Sequence, residues 1–399
     1  MNIHNVIINK VLQFALSIVR RFLKTPHQLT FSGQGSAEQL TAHIVRTGSR
    51  KILLVTDKPL VELGLAGRVV QAIETMGATA VVYDGVLPDP TVAVVQGALD
   101  SYHRNGCDAV LALGGGSSID TAKTAAAAAT NGGIDKIMGL FKVKQAPAPL
   151  YAIPTTAGTG SEVSFFAVIS ATDTHQKTGI GAPAMLPRAA ALDPSLMTGL
   201  PRHITAATGM DALAHAVETY IATAANDEVR SYSRPAVEMI FENLPRAYDD
   251  GNDIAAREAM AIASYYAGVS LNIAAVGYVH AIAHQLGAKY GVPHGLANAI
   301  VMPYVLDINI EAACEPLADL AEVINVAQEG DSQRSKAEKF VAAIRQMNAR
   351  LDIPAKLEEL RPSDIPDLAI ESVKEGRTYA VPLVLGREQV TFVLQKMLA

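Results

Sequence analysis

The chain has 399 residues, 49% apolar and 18% charged, with a formal net charge of −6. That length exceeds one ordinary core and predicts two or more domains, the apolar fraction excludes a disordered chain, and the mild acidity excludes the Lys/Arg clustering that nucleic acid demands. Two cysteines, Cys107 and Cys314, can build neither a disulfide framework nor a thiolate zinc site, which fits a reducing, cytoplasmic setting.

The chain opens on an apolar run, VLQFALSIV (11–19), followed by RRFLK rather than by the small residues of a signal cleavage site. Val11, Leu12, Ala15, Ile18, Val19 and Phe22 recur at helical spacing, so residues 1–25 read as an amphipathic helical extension. Such a helix can touch an anionic membrane or another subunit, or pack on its own domain. No stretch reaches the ~18–20 apolar residues of a membrane span.

From about 26 to 200 short apolar runs alternate with helical patterns. KILLVTD (51–57), ATAVVYDG (78–85), CDAVLALGGGS (107–117) and PLYAIPTT (149–156) read as strands, and LAGRVVQAIETMG (65–77) and TVAVVQGALDSYHRNG (91–106) as helices. This rhythm predicts parallel βαβ units, a Rossmann-like α/β domain. Between 201 and 399 strand-like runs all but vanish. MDALAHAVETYIATAA (210–225), SRPAVEMIFENLPRAY (233–248), IAAREAMAIASYYAGVSLNI (254–273) and KAEKFVAAIRQMNARL (336–351) predict an all-α second domain.

Within the first half, LALGGGSSIDTAK (111–123) is a strand, a triple glycine and a helix start, with Ser117 or Ser118 placed to cap the helix and Asp120 in its first turn. Gly114, Gly115 and Gly116 permit close backbone approach to a ligand, and a helix N-terminus favours phosphate. The competing reading is a tight strand-to-helix turn without a ligand. PTTAGTGSEVS (154–164) adds a second glycine-rich loop with hydroxyls at Thr155, Thr156, Thr159 and Ser161. Two such loops at strand ends suggest a ligand crevice. Asp57 stands where an acid can read a ribose and repel a 2′-phosphate, or simply cap a helix.

In the second half, Asp211 and His215 lie four residues apart and so share one helix face; His280 and His284 repeat that spacing, and His294 follows a GVP turn. All five are set among Ala, Val, Ile and Leu. Buried imidazoles and carboxylates need partners, and paired i, i+4 ligands offer a metal platform. Nitrogen and oxygen donors without thiolate suit Fe2+, Zn2+, Ni2+ or Mn2+.

GGGSSIDTAK, PTTAGTGSEVS, GMDALAHAVE and GYVHAIAHQLGAKYGVPHGLANAI, in this order, resemble the iron-containing (group III) alcohol dehydrogenases over roughly residues 30–310. The resemblance implies metal ligands at Asp211, His215, His280 and His294, with His284 beside them as a proton relay or an orienting group. It implies NAD contacts at Asp57, Asp89, Gly114, Gly115, Gly116, Ser117, Thr155, Thr156, Thr159 and Lys177. Asp89 stands where many members carry Asn. The implied reaction interconverts a primary alcohol or small diol with its aldehyde. A divalent metal, Fe2+ ahead of Zn2+ or another ion, polarises the oxygen, and hydride passes to NAD in a site between the domains. A homo-oligomer, as a dimer, is expected by analogy.

The C-terminal RTYAVPLVLGREQV (377–390) replaces the family's TNPR-like stretch, so substrate choice is not inherited. Rival readings are a glycerol or polyol dehydrogenase, a dehydroquinate synthase-like enzyme and a non-catalytic metalloprotein. The second asks for many cations, yet residues 254–305 carry only Arg257 and Lys289.

Overall fold

The computed structural model describes residues 28–172 and 177–399; the helix expected near the N-terminus lies outside them. Two compact units divide between Gly199 and Leu200.

Among its described residues the first unit is built on eight strands: β1 (Leu29–Ser32), β2 (Lys51–Val55), β3 (Thr79–Tyr83), β4 (Ala109–Gly114), β5 (Leu150–Pro154), β6 (Phe166–Ser170), β7 (Lys177–Gly181) and β8 (Ala189–Leu192). Six form a parallel sheet in the order β1-β8-β5-β4-β2-β3, while β6 and β7 pair antiparallel as a separate ribbon. Alternate side chains of a strand face opposite sides, and here both sides are buried. Leu53, Val55, Val110 and Ala112 pack with Val95, Leu99, Ile119 and Ala122 on one side. Ile52, Leu54, Leu111 and Leu113 pack with Leu40, Ile44, Val69 and Ile73 on the other. The helices responsible are α1 (Ser36–Arg46), α2 (Lys58–Glu62), α3 (Leu65–Thr75), α4 (Val92–Asn105) and α5 (Gly116–Asn131).

The four expected strands all form, but β1, β8 and the β6–β7 ribbon were not foreseen. LTFS is short, and AAAL has the composition of a helix; Ala189, Ala190 and Ala191 are fully buried, so tertiary packing overrides propensity. The serine cap expected on α5 is not used. Gly115 is the N-cap residue, with no side-chain cap. Asp120 instead accepts from Ser161 Oγ (2.5 Å) and Val168 N (2.8 Å).

The second unit is helical among the described residues, apart from an isolated bridge between Leu357 and Leu398. Its helices are α6 (Arg202–Ile221), α7 (Asp227–Asp249), α8 (Ile254–Ala274), α9 (Tyr278–Tyr290), α10 (His294–Asn309), α11 (Cys314–Val323), α12 (Gln333–Arg350), α13 (Ile365–Gly376) and α14 (Arg387–Lys396). From Gly209 to Ile221 every residue of α6 is buried, which makes it a central helix rather than an amphipathic surface one. Helix α7 begins earlier than the sequence pattern suggested, because Asn226 caps it at Val229 N (2.9 Å) and Pro235 is tolerated within it. No single described helix is long and apolar enough to cross a membrane.

Candidate active site

Helix α6 carries Asp211, His215 and Glu218 at positions i, i+4 and i+7, on one face of a fully buried segment. Helix α9 brings His280 against them. Asp211, His215 and His280 each present one ligand atom, and these atoms all lie within 4.8 Å of one another. The His215 and His280 rings stack with centroids 4.6 Å apart. His294, the first residue of α10, places Nε2 3.6 Å from Asp211 Oδ1 and its ring 5.3 Å from that of His280. This approach requires Gly295: a Cβ there would stand 2.3 Å from the Ala207 carbonyl oxygen on α6. His284 stacks on His294 at 5.1 Å. The five residues singled out in the sequence thus converge.

The partners of these side chains sort them by role. Glu218 holds His280 Nδ1 at 2.6 Å through Oε2 and also accepts from Gly277 N (2.9 Å) and Val279 N (2.7 Å), anchoring the start of α9. Because an ionised carboxylate can only accept, Nδ1 carries the hydrogen and Nε2 presents its lone pair. That Nε2 is buried and has no hydrogen-bond partner among the described residues; Asp211 Oδ1, at 3.7 Å, is too far to serve. An orphaned acceptor in an apolar setting is costly unless a ligand satisfies it. Asn298 Nδ2 donates to Asp211 Oδ1 (2.7 Å) and contacts His294 Nε2 (3.1 Å), tying α10 to α6. The donor set therefore fits a divalent cation of borderline character, and the sequence reading missed its supports, Glu218 and Asn298. Glu218 was detectable as the i+7 member of the α6 face.

Burial alone would raise the Asp211 pKa, but the imidazoles of His215, His294 and His280 outweigh it and hold the carboxyl far below its usual range. Burial would lower that of His280, yet the Glu218 bond and the nearby Asp211 charge push it up to about 9, so a cation held at Nε2 takes the place of a proton there. The accessible side of the group lies at His284 and His294, whose side chains are 24% and 31% exposed, against 2% for His280.

The remaining candidates lie in the sheet unit. Strands β2 and β4 are neighbours, but the chain leaves β2 toward β3 on one side and β4 toward β5 on the other. Ligands of open α/β sheets bind at such a reversal, outside the strand C-termini. Asp57 follows β2, and Gly114, Gly115, Gly116 and Ser117 close β4 and open α5. Thr155, Thr156 and Thr159 follow β5; Thr155 N donates to Gly114 O at 3.1 Å. A Cβ on Gly116 would stand 2.8 Å from Thr159 Cγ2, so this glycine lets the two loops pack against each other. Asp57 Oδ1 caps α2 at Leu60 N (3.0 Å), so the capping role is filled. Asp89 and Lys177 form an ion pair with each other at 2.7 Å, which the sequence did not reveal.

Residues 27–194 match the family model "Iron-containing alcohol dehydrogenase" and residues 205–398 the model "Fe-containing alcohol dehydrogenase family, C-terminal". The chain is similar to alcohol dehydrogenase 4 of Saccharomyces cerevisiae (strain YJM789), with 37% identity over 92% of this chain and 96% of the relative. It is similar to the NAD-dependent methanol dehydrogenase of Bacillus methanolicus, with 36% identity over 92% of this chain and 97% of the relative. Among solved structures, a 1,3-propanediol oxidoreductase superposes with a TM-score of 0.91 at 35% identity, covering 94% of this chain and all of that one. With both halves matched and the fold shared, the chain belongs to the iron-containing alcohol dehydrogenase family and is an oxidoreductase of the alcohol dehydrogenase class.

Proposed function

We propose that the protein is an NAD-dependent dehydrogenase that interconverts a primary alcohol or small diol and its aldehyde. Residues 26–200 form its dinucleotide-binding domain and residues 201–399 its metal-binding, catalytic domain. The observation that carries this reading is the convergence of Asp211, His215 and His280, with His280 Nε2 buried and unpartnered. These residues and His294 would hold one divalent ion, Fe2+ ahead of Zn2+. When bound, that ion supplies Lewis acidity toward the substrate oxygen, and NAD supplies the hydride acceptor.

The chain's own residues do the rest. Glu218 locks His280 in the tautomer that offers Nε2, as carboxylates behind metal-binding histidines do. His284, on the accessible side, takes the hydroxyl proton of the substrate. The loops at Gly114–Ser117 and Thr155–Thr159, with Lys177 and Asp89, contact the dinucleotide, whose phosphates gain from the N-terminus of α5. The Asp57 carboxylate disfavours a 2′-phosphate, which supports NAD over NADP. The relatives named for methanol and 1,3-propanediol support a small, uncharged substrate. Two free cysteines fit a cytoplasmic setting, and family resemblance supports a homodimer.

The test is NADH formation by Fe2+- or Zn2+-loaded protein on primary alcohols and diols, with aldehyde reduction in reverse. Turnover in either direction is expected; none with any metal would overturn the reading.

A further inference from the structure

We propose that Glu375 and Tyr379 form a clamp that positions His284, holding its hydrogen on Nδ1 and leaving the Nε2 lone pair for the substrate proton; this rests on the function proposed above. Glu375 lies at the C-terminal end of α13, some ninety residues beyond His284 in sequence. Its Oε1 meets His284 Nδ1 at 2.6 Å and accepts from Tyr379 Oη at 2.7 Å, while Oε2 accepts from Gln285 Nε2 at 2.8 Å. A carboxylate has no hydrogen to give, so the ring nitrogen facing it must be the donor and the other must be the acceptor.

The charge balance of the group supports this. Burial would raise the Glu375 pKa, but the hydrogen bonds from His284 and Tyr379 hold it below the usual value, so the carboxyl is an acceptor at neutral pH. Burial and the Glu375 charge push the Tyr379 phenol well above its usual range, so it remains an O–H donor. Tyr379 also belongs to the C-terminal stretch in which this sequence departs from the family's TNPR-like pattern. Three donors converging on one carboxylate fix its orientation, and a fixed carboxylate fixes the imidazole plane. Glu375 and Tyr379 are thus positioning residues acting through His284, in the way Glu218 acts through His280.

Two measurements test the clamp. The first needs no turnover: two-bond 15N–1H correlation spectra of histidine-labelled, zinc-loaded protein, at a pH where the ring is neutral. His284 is expected as the Nδ1–H tautomer in the wild type, shifting toward Nε2–H in Glu375→Leu. Nε2–H in the wild type would overturn the proposal.

The second is kinetic. Glu375→Leu is expected to lower kcat about 10–100-fold, the range typical of groups that orient a functional histidine. The KM values for alcohol and NAD and the bound metal should stay within about twofold of wild type. Glu375→Gln, whose amide oxygen still accepts from Nδ1–H, should recover most of that loss, and Tyr379→Phe should cost only a few-fold. An unchanged kcat in Glu375→Leu, or a parallel loss of kcat, KM and metal that Gln does not rescue, would show a merely structural role. A wild type without any turnover would overturn the dehydrogenase reading and leave the spectra to judge the clamp.

Discussion

Lys123 and His280 are both fully buried ionisable side chains, one in each unit, and their surroundings differ in a way that separates structure from function. Lys123 Nζ has three hydrogens and three acceptors: Ser161 Oγ at 2.8 Å, Ser164 Oγ at 3.0 Å and Phe166 O at 2.6 Å. The group is complete and pins α5 to the second glycine-rich loop and β6. His280 is satisfied on one nitrogen only; Glu218 takes Nδ1, and Nε2 points among Asp211, His215 and His294 with no partner among the described residues. A saturated buried network stabilises a fold, whereas a half-saturated one calls for a ligand.

The largest effect falls on His280. His280→Ala should lower metal affinity by more than about a thousandfold, roughly 4 kcal/mol, and abolish turnover, as metal analysis and NADH assays would show. Lys123→Met should do the reverse: leave metal affinity unchanged while destabilising the sheet unit by about 3–5 kcal/mol, because Asp120 loses its buried partner. Urea unfolding followed in that unit measures it. A drop in metal affinity there would contradict the distinction. Glu218→Gln lies between, with metal affinity falling about 10–100-fold and the fold retained.

The smallest effect depends on pH. Burial raises the Glu162 carboxyl from its usual 4.5 to about 7. Between those values the native state binds more protons than the unfolded one, so stability falls as pH rises from 4.5 and stays lowered above 7. Lys123, lowered by burial to about 8, acts only at higher pH. Glu162→Gln should therefore flatten the profile between pH 4.5 and 7 and leave the protein more stable than wild type near pH 7.5, on the order of 1–3 kcal/mol. Parallel profiles for the two proteins would show that Glu162 titrates normally.

What the sequence made legible follows from range. Asp211 with His215, and His280 with His284, are visible because helical spacing is a local property, and Glu218 was visible in principle as the next residue of the same stripe. Strands β2 to β5 announced themselves as β-branched apolar runs. The helical pattern read over residues 1–25 lies outside the described residues. Glu375 and Tyr379 carried no signal, since only tertiary packing brings α13 to His284. Strand β8 was hidden because AAAL has the composition of a helix, and only its tertiary setting, buried throughout, makes it a strand. The Asp89–Lys177 pair likewise joins residues from separate parts of the chain.

The distinction between the saturated and the orphaned group is tested most directly by titrating metal-free protein with Fe2+ under anaerobic conditions while following NADH formation from a primary alcohol or 1,3-diol. Activity should rise in proportion to bound iron, level off at a single ion per chain, vanish with a chelator and be absent from His280→Ala. Undiminished turnover in the chelated protein, or full metal content and activity in His280→Ala, would contradict the assignment.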